Sequence, residues 1–313
     1  MITNSFKEIG GYFGLEFEEK TIFPRDVVAL NDARNCLRYV IQAFNIKEIH
    51  LPYYTCPVVW QAIQKENCKI NFYHIDKNFM PAKEFNESDF IVYTNYFGVC
   101  AGNVKKLAGR YKNLIVDNAQ AFYMPKYGIA SFNSIRKFFG VSDGAFLYTD
   151  KKLNTEFDKD TSYQRFSHLL KRTDVSANFG YQDFCTNDIS LEDEEIKTIS
   201  NLTKQIFLSI DIEDAKQKRL MNFEFLHKKL ADKNELQIKL DSEDVPLAYP
   251  FLIRKEGLRR KLIENKIYVA QYWSPMPQEY EEGMFQKYIL PLPIDQRYNI
   301  EDMRTIIEVI DNA

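Results

Sequence analysis

Polar and apolar positions change period along the chain, and each change marks an element. Over residues 33–44, Ala33, Leu37, Val40, Ile41 and Phe44 fall on one face of a helix, with Asn31 or Asp32 placed to cap its start. Short apolar runs at 46–51, 70–75, 90–94, 114–116 and 145–148 have strand character, and helical patterns at 58–64 and 104–111 fill gaps between them. Strands alternating with helices predict an α/β fold built on a mostly parallel central sheet with helices on both faces. Ligands then bind beyond the carboxyl ends of the strands.

From about residue 150 the chain turns charged and helical. Ile196, Ile199, Leu202, Ile206 and Ile210 recur at helical spacing and predict a long connecting or dimer-forming helix within 191–230. Beyond it, strand-like stretches at 247–253 and 267–272 alternate with helical ones at 257–264 and 300–310. The pattern divides the chain into a large domain over 1–230, connecting helix included, and a small C-terminal α+β domain over 231–313.

Composition narrows the functions open to such a fold. With 45% apolar and 14% aromatic residues the chain has ample core, which excludes disordered, collagen-like and low-complexity classes. The 41 Lys and Arg against 44 Asp and Glu leave a net charge of −3, too little positive charge to favour nucleic acid as a partner. Cys36, Cys56, Cys68, Cys100 and Cys185 are odd in number and never closer than 12 residues, as expected of reduced thiols in the cytoplasm. The four histidines are scattered with no Cys or acid at ligand spacing, so no metal site is expected. The first residues lack the pattern of a secretory signal, and no apolar run is long enough to span a bilayer, so no membrane partner is expected.

The segment 113–150 carries the chemistry. An apolar run ends in Asp117, followed by Asn118, Ala119, Gln120 and Ala121. Twenty residues after Asp117 comes Lys137, preceded by Ser134-Ile135-Arg136 and followed by Gly140 and Asp143-Gly144. An acid at a strand's carboxyl end faces the ligand crevice, where it would hold the pyridine nitrogen of pyridoxal 5'-phosphate protonated and keep that cofactor electron-poor.

Here the chain resembles the pyridoxal-phosphate-dependent enzymes of fold type I, in particular the DegT/DnrJ/StrS-type sugar aminotransferases. Val116-Asp117-Asn118-Ala119-Gln120-Ala121 is similar to the family's acid-Asp-Ala-Ala-Gln/His-Ala motif. Ser131-Phe132-Asn133-Ser134-Ile135-Arg136-Lys137 resembles the Ser-containing loop that ends in the Schiff-base Lys, and Asp143-Gly144-Ala145 the Gly-rich turn after it. The start at 31–37 looks like the family's Ser-Gly-Thr-x-Ala-Leu helix start, 51–56 like its Pro-x-x-Thr-aromatic segment and 94–98 like its Val-His-Leu-Tyr-Gly loop. Pro291-Leu292 and the helix at 300–310 match its closing domain.

The resemblance implies a role for each residue. Lys137 is the catalytic lysine, Asp117 the partner of the ring nitrogen and Gln120 a neighbour of the ring hydroxyl. Ala33 and Arg34, at the helix start, hold the phosphate through backbone N–H groups, with a hydroxyl from Ser134 or Ser131. Asn95 lies near the cofactor's oxygen side. Cys56 stands where an aromatic ring would stack on the cofactor, so Tyr54 or Tyr96 would substitute, and Asp32 stands where the family has Ser or Gly. Trp273-Ser274-Pro275 reads as either a sugar or nucleotide platform or packing, and 178–184 as a segment reaching a neighbouring subunit's site.

The implied activity is transfer of an amino group, from glutamate or glutamine, to a keto sugar, nucleotide-linked and destined for cell-surface polysaccharide, by a cytoplasmic homodimer. Two alternatives stand beside it. A fold-type-I enzyme acting on a small amino acid would turn Arg254 or Arg297 toward Lys137. A degenerate homologue would bind a sugar nucleotide without catalysis.

Overall fold

The computed structural model describes residues 9–273 and 280–313. The elements run β1 (Val28–Leu30), α1 (Ala33–Phe44), β2 (Glu48–Pro52), α2 (Pro57–Lys65), β3 (Lys69–Tyr73), β4 (Ile91–Thr94), α3 (Ala101–Arg110), β5 (Leu114–Asn118), β6 (Ala130–Asn133) and β7 (Ala145–Thr149). They continue with α4 (Ser167–Asp174), α5 (Ala177–Ser190), α6 (Asn201–Leu208), α7 (Ile212–Leu230), β8 (Ala248–Leu252), α8 (Leu258–Glu264), α9 (Glu281–Tyr288), β9 (Ile289–Pro293) and α10 (Ile300–Asp311).

Strands β1 to β7 form one sheet in the order β1-β7-β6-β5-β4-β2-β3. Strands β6, β5, β4, β2 and β3 are mutually parallel, and β7 runs against both of its neighbours. Side chains alternate between the two faces of such strands. Val92 and Ile115 therefore pack with Leu37, Val40 and Ile41 of α1, while Ile91, Tyr93, Leu114 and Val116 pack with Val104 and Leu107 of α3. Both faces are covered, which is why these strands read as continuous apolar runs.

The antiparallel pair β8–β9 makes the second, smaller sheet. It shares a core with Phe223, Leu226 and Leu230 of α7, Leu258 and Leu262 of α8, and Met303, Ile306 and Ile310 of α10.

Two expectations change, and one segment takes a definite form. The helical pattern over 191–230 is broken into α6 and α7, because the Ser200 and Asp211 side chains each accept a backbone N–H and start a new helix. Residues 267–272 form no strand; the Arg259 guanidinium takes up the Val269 and Ala270 carbonyls that a ladder would have used. Residues 178–184 lie inside α5, capped by the Ser176 hydroxyl accepting the Phe179 N–H at 3.2 Å.

Candidate active site

The strand alternation that builds the core also builds a cleft. One step beyond Val92 and Ile115, the same face carries Thr94 and Asp117, and Phe132 of β6 completes the row: Thr94 is the register partner of Asp117, and Asp117 of Phe132. All three line a cleft at the carboxyl end of the parallel strands. Ala33, Arg34 and Leu37 of α1, Thr55 and Cys56 before α2, Ser134 and Lys137 after β6, and Trp273 contribute the other walls.

Two backbone bonds bring the Lys137 turn to the start of α1. The Ile135 N–H donates to the Gly144 carbonyl at 2.9 Å, and the Gly144 N–H donates to the Asn31 carbonyl at 2.7 Å. Gly144 has φ +96°, where a side chain is strained, and an added Cβ would crowd Thr203 Cγ2 at 3.0 Å and Ile135 Cδ1 at 3.1 Å. Behind the turn, the Phe138 carbonyl accepts from Arg219 at 3.3 Å and from Gln296 at 2.8 Å. Lys137 thus extends from a backbone fixed on both sides.

The polar groups of the cleft are poised unequally. Asp117 Oδ1 accepts the Ala119 N–H at 2.8 Å. Burial pushes its carboxyl above the ordinary range, while the nearby Lys137 charge pulls it back. Gln120 Oε1 accepts the Phe97 N–H at 2.6 Å, which leaves Nε2 buried without a partner. Thr94 Oγ1 and Arg34 Nη1 are likewise buried and unpartnered. Such groups are costly in an interior unless a ligand takes them up. Ser134 lines the cleft; Ser131, the alternative hydroxyl, is buried and unpartnered on β6 and absent from the lining. Burial also raises the Cys56 thiol, opposed by Lys137 and Arg34.

The cleft brings together Lys137, Asp117, Gln120, Ala33, Arg34 and Ser134. Tyr54 and Asn95 lie outside its lining. The Tyr54 ring is fully buried among Tyr96, Trp273 and Phe285, behind the wall that Cys56 and Trp273 form, so neither it nor the buried Tyr96 faces the opening. Asn95 is committed to the fold: Nδ2 donates to Asn118 Oδ1 and Oδ1 accepts the Cys100 N–H, both at 3.1 Å. Of the segment 273–275, Trp273 lines the cleft, and Ser274 and Pro275 lie outside the described residues.

Sequence reasoning missed Thr55, Thr94, Arg136, Asp188 and Glu192 of the lining. Thr94 becomes visible only once β4 is known to neighbour β5. Arg136 and Asp188, paired at 2.6 Å across the mouth, are 52 positions apart, and their pairing leaves no local mark. Among the described residues no cluster of three His, Cys, Asp or Glu could hold a metal ion, and no helix is long and apolar enough to cross a membrane.

No family model and no curated protein matches the chain. Solved structures do. A DegT/DnrJ/EryC1/StrS aminotransferase from Brucella abortus superposes with a TM-score of 0.62 at 14% identity, covering 91% of this chain and 85% of the other. NtdA from Bacillus subtilis, solved with the cofactor PMP, gives 0.63 at 15% identity over 91% and 73%. Helicobacter pylori PseC, an aminotransferase of pseudoaminic acid biosynthesis, gives 0.60 at 15% over 91% and 86%. The chain has the fold of these proteins.

Proposed function

We propose that the protein is a pyridoxal-phosphate-dependent aminotransferase that passes an amino group from glutamate or glutamine to a keto sugar, nucleotide-linked and used for cell-surface polysaccharide. The observation that carries this reading is the convergence of Lys137, Asp117 and Gln120 on one cleft at the start of α1. The cofactor fits what the cleft leaves open. Gln120 Nε2 is a donor without an acceptor, Arg34 Nη1 a cation edge without an anion, and Asp117 a buried carboxyl on the cleft wall. When bound, the cofactor supplies an electron sink for charge developing beside the substrate nitrogen.

The chain's own groups do the rest. The Lys137 Nζ would hold the cofactor and would move a proton at the reacting carbon. Asp117 retains the proton on the ring nitrogen, and Gln120 orients the ring through its donor Nε2. Ser134 and Arg34 anchor the phosphate, which keeps the reacting carbon aligned with Lys137. Trp273 closes the side of the cleft where Cys56 leaves no aromatic ring.

Arg254 and Arg297 pair with Glu235 and Asp295 and are absent from the cleft lining, which removes the motive for a small amino-acid substrate. A homodimer is supported by α5, which sends Asp188 to the cleft mouth and exposes Phe179, Tyr181, Phe184 and Ile189 on its outer surface. The five free cysteines support a reducing compartment such as the cytoplasm.

Glutamate added to the cofactor-loaded protein is expected to bleach its visible band, and a nucleotide-linked keto sugar to restore it. A band indifferent to every amino donor would defeat the reading.

A further inference from the structure

The start of α1 is chemically unlike a simple anion cup. The first turn of a helix offers free N–H groups and the positive end of the helix dipole, and anions settle there. Here the chain fills part of that site with its own charge. Asp32, 5% exposed, is the N-cap, and its Oδ1 accepts the Arg34 N–H at 2.6 Å. A second anion arriving at this turn meets a carboxylate already in place.

The compensating charge is on the same turn. Arg34 Nε donates to the same Asp32 oxygen at 3.2 Å, which fixes the guanidinium. The side chain is 9% exposed and lines the cleft, and its Nη1 is buried with no partner. Arginine presents a planar fork that matches phosphate oxygens, and a buried unpaired guanidinium nitrogen is strongly disfavoured until an acceptor arrives.

We propose that the Arg34 guanidinium, rather than the backbone of the α1 first turn, is the principal phosphate ligand of this cleft, and that Asp32 orients it while limiting how tightly phosphate is held. The proposal rests on the cofactor reading for the identity of the phosphate ester, while the anion site itself is argued from Arg34 and Asp32 alone. Asp32 acts in two directions, and its repulsion of the incoming phosphate charge outweighs the single 3.2 Å contact by which it locks Arg34. Serine at position 32 would keep the helix cap and remove the repulsion.

The test titrates wild type, Arg34→Met, Arg34→Lys and Asp32→Ser with pyridoxal phosphate, with pyridoxal, which lacks the phosphate, and with inorganic phosphate by calorimetry. Circular dichroism checks that each variant is folded. Arg34→Met is expected to weaken pyridoxal phosphate and inorganic phosphate by roughly tenfold or more, as loss of a charge-assisted contact does, and to leave pyridoxal unchanged. Arg34→Lys should recover part of the loss, and Asp32→Ser should tighten both phosphate probes and not pyridoxal.

Equal phosphate binding by wild type and Arg34→Met, or equal loss of pyridoxal and its phosphate in a folded Arg34→Met, would overturn the proposal. So would Asp32→Ser weakening both phosphate probes. Arg34-dependent binding of inorganic phosphate in a protein that never reacts with pyridoxal phosphate would uphold this anion site and defeat the cofactor reading instead.

Discussion

Asp117 and Lys137 enter one cleft from the ends of adjacent parallel strands, the acid on β5 and the amine on the turn that follows β6. The two charges interact: Lys137 lowers a carboxyl that burial raises. A cation placed beside a buried acid supports the acid's charged form, and a ring N–H on a bound cofactor would extend the same support.

Asp117→Asn keeps the size of the side chain and removes its charge. Electrostatic stabilisers of this kind contribute on the order of 10²–10³-fold in rate. The variant is therefore expected to lose that much in the single-turnover rate with glutamate while its circular dichroism stays that of the wild type. A loss under threefold would separate Asp117 from the chemistry.

Asp244 ties the segment before β8 to α3, accepting the Ala101 N–H at 2.9 Å and the Asp241 N–H at 2.7 Å. Burial raises its pKa to about 6. In the unfolded chain it titrates near the ordinary value of about 3.9. Between those values the folded state holds a proton that the unfolded state has released, so Asp244 makes stability fall as pH rises from about 4 to about 6. Urea unfolding across this range should show a shallower fall in Asp244→Asn than in wild type. Parallel curves would contradict it.

Gly98 lies against the backbone that carries Gln120. Its φ is +70°, and a Cβ there would approach the Gln120 carbonyl oxygen at 2.5 Å and the Val245 carbonyl oxygen at 2.9 Å. Gly98→Ala is expected to cost about 1–3 kcal/mol in urea unfolding and to weaken cofactor binding as Gln120 is displaced. Unchanged stability would mean that the close approach relaxes freely.

The outer surface of α5 predicts the oligomer. Tyr181→Asp combined with Phe184→Asp should shift the mass found by light scattering from twice 36.9 kDa toward 36.9 kDa. A wild type already at the single-chain mass would contradict the dimer.

The sequence revealed those parts of the fold that rest on local periodicity. The expected helix at 33–44 coincides with α1, and the apolar runs at 46–51, 70–75, 90–94, 114–116 and 145–148 overlap β2, β3, β4, β5 and β7. Strand β6 was harder to read, because its Ala-Ser-Phe-Asn stretch carries no apolar run. The break before α7 depends on capping by Asp211, which a pattern of isoleucines does not register. At the site, Asp117, Gln120 and Lys137 stood out by motif, whereas Asp188 reaches the mouth only through tertiary packing of α5. Tyr54 carried the same aromatic label as a cleft residue, and its burial behind Trp273 is set by contacts across more than 200 positions.

The most direct test of the account is covalent. Protein incubated with pyridoxal phosphate, reduced with borohydride and digested should carry the label on Lys137, with a visible band before reduction that Lys137→Ala lacks. A label on another lysine, or a Lys137→Ala variant with the wild-type band, would contradict the assignment of this cleft as the active site.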